Sequence, residues 1–170
     1  MANTYTLISS NVLSSSAASV TFSSIPATYT DLVLKVSARS DFAGTDIIKY
    51  TINSDSGSNY SWTQLLGNGS AASSTRGSNT YARGGYIDNA NQTASTFGSV
   101  EIYLPNYTST SSRPASVFSA DETNATAANI GAFATLYAGT AAISSLVFSS
   151  INGGNFISGS SFYLYGIKNS

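Results

Sequence analysis

Side chains that could carry out acid–base or nucleophilic chemistry are scarce in this sequence. It contains no histidine and no cysteine, so the usual general base at neutral pH and the common nucleophile–base pairs are missing. Asp121 and Glu122 are the only adjacent carboxylates. Because neighbouring residues of a strand point to opposite faces, these two would not act together on a glycosidic bond. We therefore predict that the chain is not an enzyme.

The carboxylates also fail to outline a metal site. Asp41 and Asp46 flank a glycine-containing loop and, with Asp55, could offer oxygens to Ca²⁺. None of them follows the pattern of a calcium-binding loop, and a good calcium site needs six or more oxygen ligands. Gly67–Gly69 and Gly84–Gly85 lack the strand-then-helix setting of a phosphate-binding loop. We predict no cofactor and no metal, with a weak or incidental ion as the alternative.

Aromatic residues indicate binding or packing. Trp62, Tyr60, Tyr81 and Tyr86 could stack on sugar rings, but protein cores and interfaces use aromatic side chains in the same way. No cluster of carboxylates accompanies these residues in the sequence, which favours a core or an interface. Glycan binding stays open as the alternative.

The composition is that of a single domain with a polar but nearly uncharged surface. The 170 residues suffice for one core, and no linker divides residues 1–170. Seven Lys and Arg against eight Asp and Glu give a net charge of −1. Such a surface has no basic field to hold nucleic acid and offers little resistance to self-association. No apolar run is long enough to span a membrane, and no signal peptide is evident.

Short alternating runs, separated by Ser, Asn and Gly clusters, set the expected architecture. The pattern predicts an all-β fold, a single-domain antiparallel β-sandwich that is jelly-roll-like and has about ten strands. The clearest alternation covers residues 31–39. Further strands are predicted at residues 4–8, 20–22, 47–52, 60–66, 97–104, 117–122, 129–137, 143–149 and 162–167. Asn53–Asn59 and Asn152–Asn155 have the residue types of hairpin turns.

Two long segments, residues 67–96 and 105–114, lack strong periodicity. Long stretches of this kind in a compact domain are usually functional or ordered by a partner. For residues 67–96 a mobile surface loop is the plain interpretation, and a loop that folds against a neighbouring protein is the sharper one. We treat both segments as candidate interaction loops. Tyr81, Tyr86 and Ile87 could form a short strand within the first segment. The residues predicted to contact a partner are Arg76, Tyr81, Arg83, Tyr86, Tyr107 and Arg113.

The terminal stretch Ser158–Ser170 contains a strand that is apolar or aromatic on both faces. Phe162 and Leu164 would line one face. A half-exposed antiparallel strand would instead alternate apolar with polar residues. We predict a central strand, or one covered by a neighbouring subunit, with the oligomer interface formed by Tyr163, Tyr165 and Ile167.

Several stretches resemble a known family. They are Tyr5–Ser10, Val20–Leu34 and Gly159–Ile167, with further similarity around Tyr60 and over Glu101–Pro105. The family consists of small virion structural proteins of tailed bacteriophages, including cyanophages. Its members are described as structural, capsid-decorating or tail-associated. The resemblance is weakest over the middle of the chain, and it implies a virion component with no catalytic residues.

Taken with the residues, the resemblance leads to two functional expectations. The first is a capsid decoration or cement protein, made in the bacterial host cytoplasm and located on the capsid surface of the virion. It would bind the outside of the major capsid protein shell as a homo-oligomer, expected to be a homotrimer at three-fold positions. The alternative is a tail fibre, tailspike or adaptor module that binds host surface glycan through Trp62 and loop tyrosines. A depolymerase is the least favoured reading.

Overall fold

The computed structural model describes residues 4–168 and contains twelve β-strands in two antiparallel sheets, with no helix among those residues. Residues 1–3 and 169–170, which belong to the terminal stretches considered above, lie outside the described part. The all-β sandwich is confirmed, with two strands more than expected. The strands are β1 (Tyr5–Val12), β2 (Ser19–Phe22), β3 (Asp31–Ala38), β4 (Asp46–Ile52), β5 (Tyr60–Gly67), β6 (Ala72–Asn79), β7 (Ala82–Ile87), β8 (Gly98–Leu104), β9 (Arg113–Glu122), β10 (Ala128–Tyr137), β11 (Leu146–Ser150) and β12 (Ser161–Ile167).

The strand order is that of a jelly roll with one sheet enlarged. The larger sheet runs β1-β12-β3-β8-β9-β10-β5-β6, and the smaller one runs β2-β11-β4-β7. If β5, β6, β9 and β10 are set aside, two four-stranded sheets with jelly-roll connectivity remain. Those four strands enter the chain as two insertions, one between β4 and β7 and the other between β8 and β11. We call β9, β10, β5 and β6 the wing, because they extend the larger sheet beyond β8.

The core lies between the two sheets and is rich in aromatic residues. Phe148 of the smaller sheet packs against Phe162 of the larger, with ring centroids 6.1 Å apart, and against Tyr50 at 5.8 Å. Alternate residues of β3, such as Leu32 and Leu34, are fully buried on the same side. The side of the larger sheet that faces away from the smaller sheet is called its outer face.

Residues 67–96 were expected to form a long loop, and that prediction is wrong for most of the segment. It contains β6, which pairs with β5 residue for residue from Ala72 to Asn79, and β7, which pairs with β4. The β5–β6 turn is closed by Asn68, whose side-chain oxygen accepts hydrogen bonds from the Ser70 and Ala71 backbone amides at 3.0 and 2.8 Å. The second expected loop, 105–114, is irregular up to residue 112, and β9 begins at Arg113.

Neither of the two expected hairpins forms. The turn at Asn53–Asn59 joins β4 of the smaller sheet to β5 of the larger one. The turn at Asn152–Asn155 follows β11 and leads to β12, again in the other sheet. Both turns reverse the chain as their residue types predict, but each one arches across the sandwich.

Candidate functional site

Exposed large hydrophobic side chains are confined to one surface of the described residues. There are seven of them, and the strand registers place all seven on the outer face of the larger sheet. They are Tyr5, Leu7, Val12, Leu65, Phe118, Ile130 and Leu136. Scattered single apolar residues are normal on protein surfaces, whereas a shared face indicates an interaction surface. This outer face is therefore the candidate functional site.

One part of the outer face lies on β1 and β12. Tyr163 and Tyr165 project from β12 and are half-buried, whereas Ile167 is buried. Tyr165 meets Tyr5 of β1 edge to face, with ring centroids 6.4 Å apart. β12 lies between β1 and β3, so it is a central strand, as its two apolar faces predict. The neighbouring strands β1 and β3 cover part of its outer face. A subunit contact at Tyr163 and Tyr165 stays a prediction. We call Tyr5, Leu7, Val12, Tyr163 and Tyr165 the terminal patch.

A polar band separates the terminal patch from the wing. On β3 and β8, Lys35 forms an ion pair with Glu101 across the strands. Next to it, the Tyr103 hydroxyl donates to an Asp31 carboxylate oxygen at 2.9 Å. Both members of the ion pair are about half exposed, with side-chain exposures of 53% and 44%, so its net contribution to stability is small. The band divides the outer face into two separate apolar areas.

The second area is on the wing, where the outward-facing residues of β5, of β10 and of β9 from Pro114 to Ala120 include no charged side chain. Phe118 lies opposite Ala132, which lies opposite Leu65 on the next strand. Phe118 and Ile130 keep 57% and 61% of their surface exposed. A groove of about 460 Å³ runs between Leu65, Ile130 and the β6 strand. We call Leu65, Phe118, Ile130 and Leu136, with the alanines between them, the wing patch.

Three of the residues expected to contact a partner are instead structural. Tyr107, in the loop after β8, is fully buried; its hydroxyl donates to the Pro26 carbonyl and accepts from the Tyr29 amide at 3.3 Å. Tyr86 of β7 is buried against Phe133 with ring centroids 5.7 Å apart. Arg113 is likewise buried. In each case the aromatic or basic side chain points inward from a segment whose sequence is typical of a surface loop.

Arg113 stabilises the ends of two loops. Its guanidinium donates to the carbonyls of Gly139 and Ala141 at 2.9 and 2.6 Å and to that of Ser109. The group lies 5.9 Å from the Tyr137 ring centroid. Burial lowers the pKa of Arg113 below its usual value, because desolvation penalises the charged form. Backbone carbonyls therefore solvate this charge in place of water.

The other three expected contact residues keep some exposure. Arg76 projects from β6 on the outer side and is exposed. Tyr81 is half-buried, with the Lys49 ammonium 5.3 Å from its ring centroid. Arg83 of β7 is half-buried and contacts Trp62. Only Arg76 borders the wing patch.

Trp62 belongs to a side-chain network on the inner side of the wing. The guanidinium carbon of Arg83 lies 3.8 Å from the Trp62 ring centroid. Arg83 donates to the Gln64 side-chain oxygen at 2.8 Å, and Gln64 donates to the Tyr86 hydroxyl at 2.6 Å. A Cβ at Gly77 would lie 2.9 Å from the Trp62 ring. Contacts with Arg83 and β6 thus reduce the ring surface available for a sugar.

The carboxylates considered for catalysis or metal binding serve separate local structures. Asp121 points inward, and burial raises its pKa with the nearby Asp88 carboxylate adding to the effect. Asp55 accepts hydrogen bonds from Asn59 and Tyr137, and these bonds help to lower its pKa. Asp41 accepts from Asn155, and Asp46 accepts from Ser150. Within residues 4–168, no three acidic side chains form a group that could hold a metal ion.

Comparisons with known proteins add no relative. No family model, curated protein or solved structure matches the chain. The structure contains no helix, in the part of the chain that it describes, that is long and apolar enough to cross a membrane.

Proposed function

We propose that the chain is a non-enzymatic structural protein of a bacteriophage virion, a capsid decoration protein that binds the outside of the major capsid protein shell as a symmetric oligomer and stabilises it. The observation that supports a binding role is the concentration of the exposed large hydrophobics on one sheet face. The proposed location in a phage virion is supported by a sequence resemblance to small phage virion proteins. The stretches that carry it are Tyr5–Ser10, Val20–Leu34 and Gly159–Ile167.

The two apolar areas suit two kinds of contact. The terminal patch lies on the jelly roll itself and would join copies of the chain. The wing patch lies on the inserted strands and would meet the shell. Burying a half-exposed Phe, Ile or Leu side chain contributes roughly 1 kcal/mol, so the wing patch would supply roughly 4 kcal/mol per copy before the cost of association. Repeated over many copies, such an increment would resist the pressure of packaged DNA.

Heating virions with and without the protein tests this proposal. In the phage that encodes the chain, we expect particles from a gene deletion to release their DNA at a lower temperature than wild-type particles. Re-expression of the chain in the same host should restore the release temperature. Equal heat resistance of the deletion particles would contradict a stabilising role.

Copy number separates decoration of the shell from a tail component. Decoration requires copies in the hundreds for each particle, measurable from a stained gel against the major capsid protein band. A few copies per particle, together with loss of host adsorption in the deletion, would instead identify a tail module. Binding to a host glycan in an array would strengthen that contrary result.

A further inference from the structure

Four strands lie at the edges of the two sheets, and three of them carry features that hinder pairing with another chain. β1 has one extra residue between Leu7 and Ser9, where its register with β12 shifts. β7 has an extra residue between Arg83 and Tyr86, where its register with β4 shifts. β2 is only four residues long. Bulges and short lengths are common means of preventing edge-to-edge association.

The fourth edge strand, β6, has none of these features. It covers eight residues, and its register with β5 is unbroken from Ala72 to Asn79. β6 contains no lysine and no proline, and most of its residues are exposed on both faces. Its side chains are small except for Arg76, so a further strand could approach without a steric barrier. One row of backbone N–H and C=O groups on this strand has no strand partner in the part of the chain that the structure describes.

We propose that β6 of one copy pairs antiparallel with β6 of a second copy across a two-fold axis. The pairing would join the two larger sheets into one sheet of sixteen strands, eight from each copy. A second copy is the fitting occupant because an antiparallel strand pair related by a two-fold axis presents the same sequence from both sides. The inference goes beyond the virion proposal and does not depend on it.

Charge selects the register of this pair. Directly opposed residues in an antiparallel pair point to the same face. Neighbouring residues of β6 point to opposite faces, so a residue cannot lie opposite its neighbour in the other copy. The two-fold axis, which is perpendicular to the sheet, must therefore pass between a residue and its own copy. Near the centre of β6 the choices are Thr75 and Arg76. An axis at Arg76 would place two guanidinium groups face to face, which is unfavourable. An axis at Thr75 forms a favourable Thr–Thr pair and sets each Arg76 opposite Ser74 of the other copy.

The pairing also has a consequence for the wing patch. Because the axis is perpendicular to the sheet, the outer faces of both copies point in the same direction. Leu65 lies on β5, which pairs with β6, and Ile130 lies on β10, one strand further from the edge. The two wing patches would therefore flank one seam. The dimer would therefore present a doubled apolar surface on a single side.

Single-cysteine variants test both the contact and its register. The natural chain has no cysteine, so each variant carries one thiol. In the Thr75 register the two Cα atoms at position 75 are about 5 Å apart, which a disulfide can bridge. Those at position 76 are roughly 8 Å apart, which is too far. We expect mild oxidation of Thr75→Cys to give a covalent dimer and Arg76→Cys to give much less. Faster cross-linking of Arg76→Cys would overturn the register.

A charged variant tests the contact without cross-linking. Thr75→Lys places two ammonium groups at the axis, and lysine at an edge strand opposes pairing. We expect sedimentation equilibrium to show a dissociation constant raised about tenfold or more, either from dimer to monomer or from hexamer to trimer. Thr51→Lys, which adds the same charge on the outward face of the smaller sheet, should leave association unchanged. A wild-type monomer at high concentration, or an oligomer that Thr75→Lys leaves intact, would overturn the proposal.

Discussion

The buried basic residues show how this weakly charged chain uses its few charges. Arg39 and Arg113 are both buried. Arg39 donates to the carbonyls of Gln92, Thr93 and Thr96, much as Arg113 donates to three carbonyls of its own neighbourhood. Each guanidinium therefore fixes irregular backbone whose carbonyls are not hydrogen-bonded to a neighbouring strand. The loops around these two residues owe their shape to hydrogen bonds from single side chains.

Removing the Arg113 guanidinium should destabilise the fold. Arg113→Ala leaves three carbonyls without their donor, and we expect the free energy of unfolding to fall by about 3 kcal/mol. Denaturant titration at a protein concentration low enough to exclude association would measure the change. Arg76→Ala is the matched control, because Arg76 is exposed and its loss should change the free energy by less than about 0.5 kcal/mol. Equal effects of the two substitutions would contradict the structural role of Arg113.

Sequence patterns at this scale identify residue types but not their direction. Arg76 and Arg113 lie in similar Ser- and Thr-rich surroundings, yet one is exposed and the other buried. The direction depends on which carbonyls the fold brings close, such as those of Gly139 and Ala141 to Arg113. Tyr107 is the same case, since its hydroxyl meets the Pro26 carbonyl from a distant part of the chain. Local periodicity contains no information about such long-range partners.

At the scale of elements, strands with a buried face could be predicted and the exposed strand could not. The predictable strands alternate or run apolar because at least one face packs in the core. They are β3, β4, β5, β8, β10 and β12, and each predicted range differs from the observed one by a single residue at one end. β6 is exposed on both faces and made of small polar residues. Its pairing with β5 stabilises it through the backbone, which leaves no apolar period in the sequence. The residue types of the turns were limited in a similar way. They predict that the chain reverses, but they do not predict which sheet the next strand joins.

The close approach of β7 to the wing depends on a residue without a side chain. A Cβ at Gly131 of β10 would lie 2.7 Å from both the Ser119 hydroxyl and the Tyr86 ring. These are core atoms with little freedom to move, so we expect Gly131→Ala to lower the free energy of unfolding by about 1–3 kcal/mol. Thermal or denaturant unfolding would measure the loss.

Gly67→Ala is the control for that substitution. Its added methyl group would meet only the side chain of Ile130, at 3.2 Å, and that side chain is exposed and can turn away. We expect a change of less than about 0.5 kcal/mol. Equal free energies of unfolding for Gly131→Ala and Gly67→Ala would contradict the tight packing of β7 on the wing.

At the scale of the whole molecule, the two insertions separate the fold from its proposed binding surface. The jelly-roll strands supply more of the buried aromatic side chains than the wing strands do, and the wing carries the uncharged outer patch. The overall sandwich could be predicted because its core strands have apolar or alternating sequence patterns. The wing patch could not be predicted, since it arises only when strands from the two insertions become neighbours, as in the pairing of β10 with β5.

A charge in the wing patch should abolish shell binding without unfolding the protein. Ile130 is 61% exposed, so we expect Ile130→Asp to melt within a few degrees of wild type. Burying the new carboxylate against the shell would be costly. In virions complemented with this variant, we expect the protein to be absent from purified particles and DNA release to resemble that of the deletion.

Thr51→Asp adds the same charge to the opposite side of the sandwich, on the outward face of β4. We expect this variant to be incorporated at the wild-type copy number. Incorporation of both variants, measured by gel densitometry, would mean that the wing patch does not face the shell.

The position of β12 has a consequence for how the molecule comes into being. Within residues 4–168, β1 pairs with no strand other than β12, and Tyr5 pairs with Ile167. During translation at about 5–20 residues per second, β1 leaves the ribosome roughly 8 to 30 seconds before its partner has been made. The terminal patch needs both strands, so it cannot form until β12 has been made and has paired with β1. If this patch joins copies of the chain as proposed, nascent chains that still lack β12 could not associate through it, and association would follow the folding of each copy.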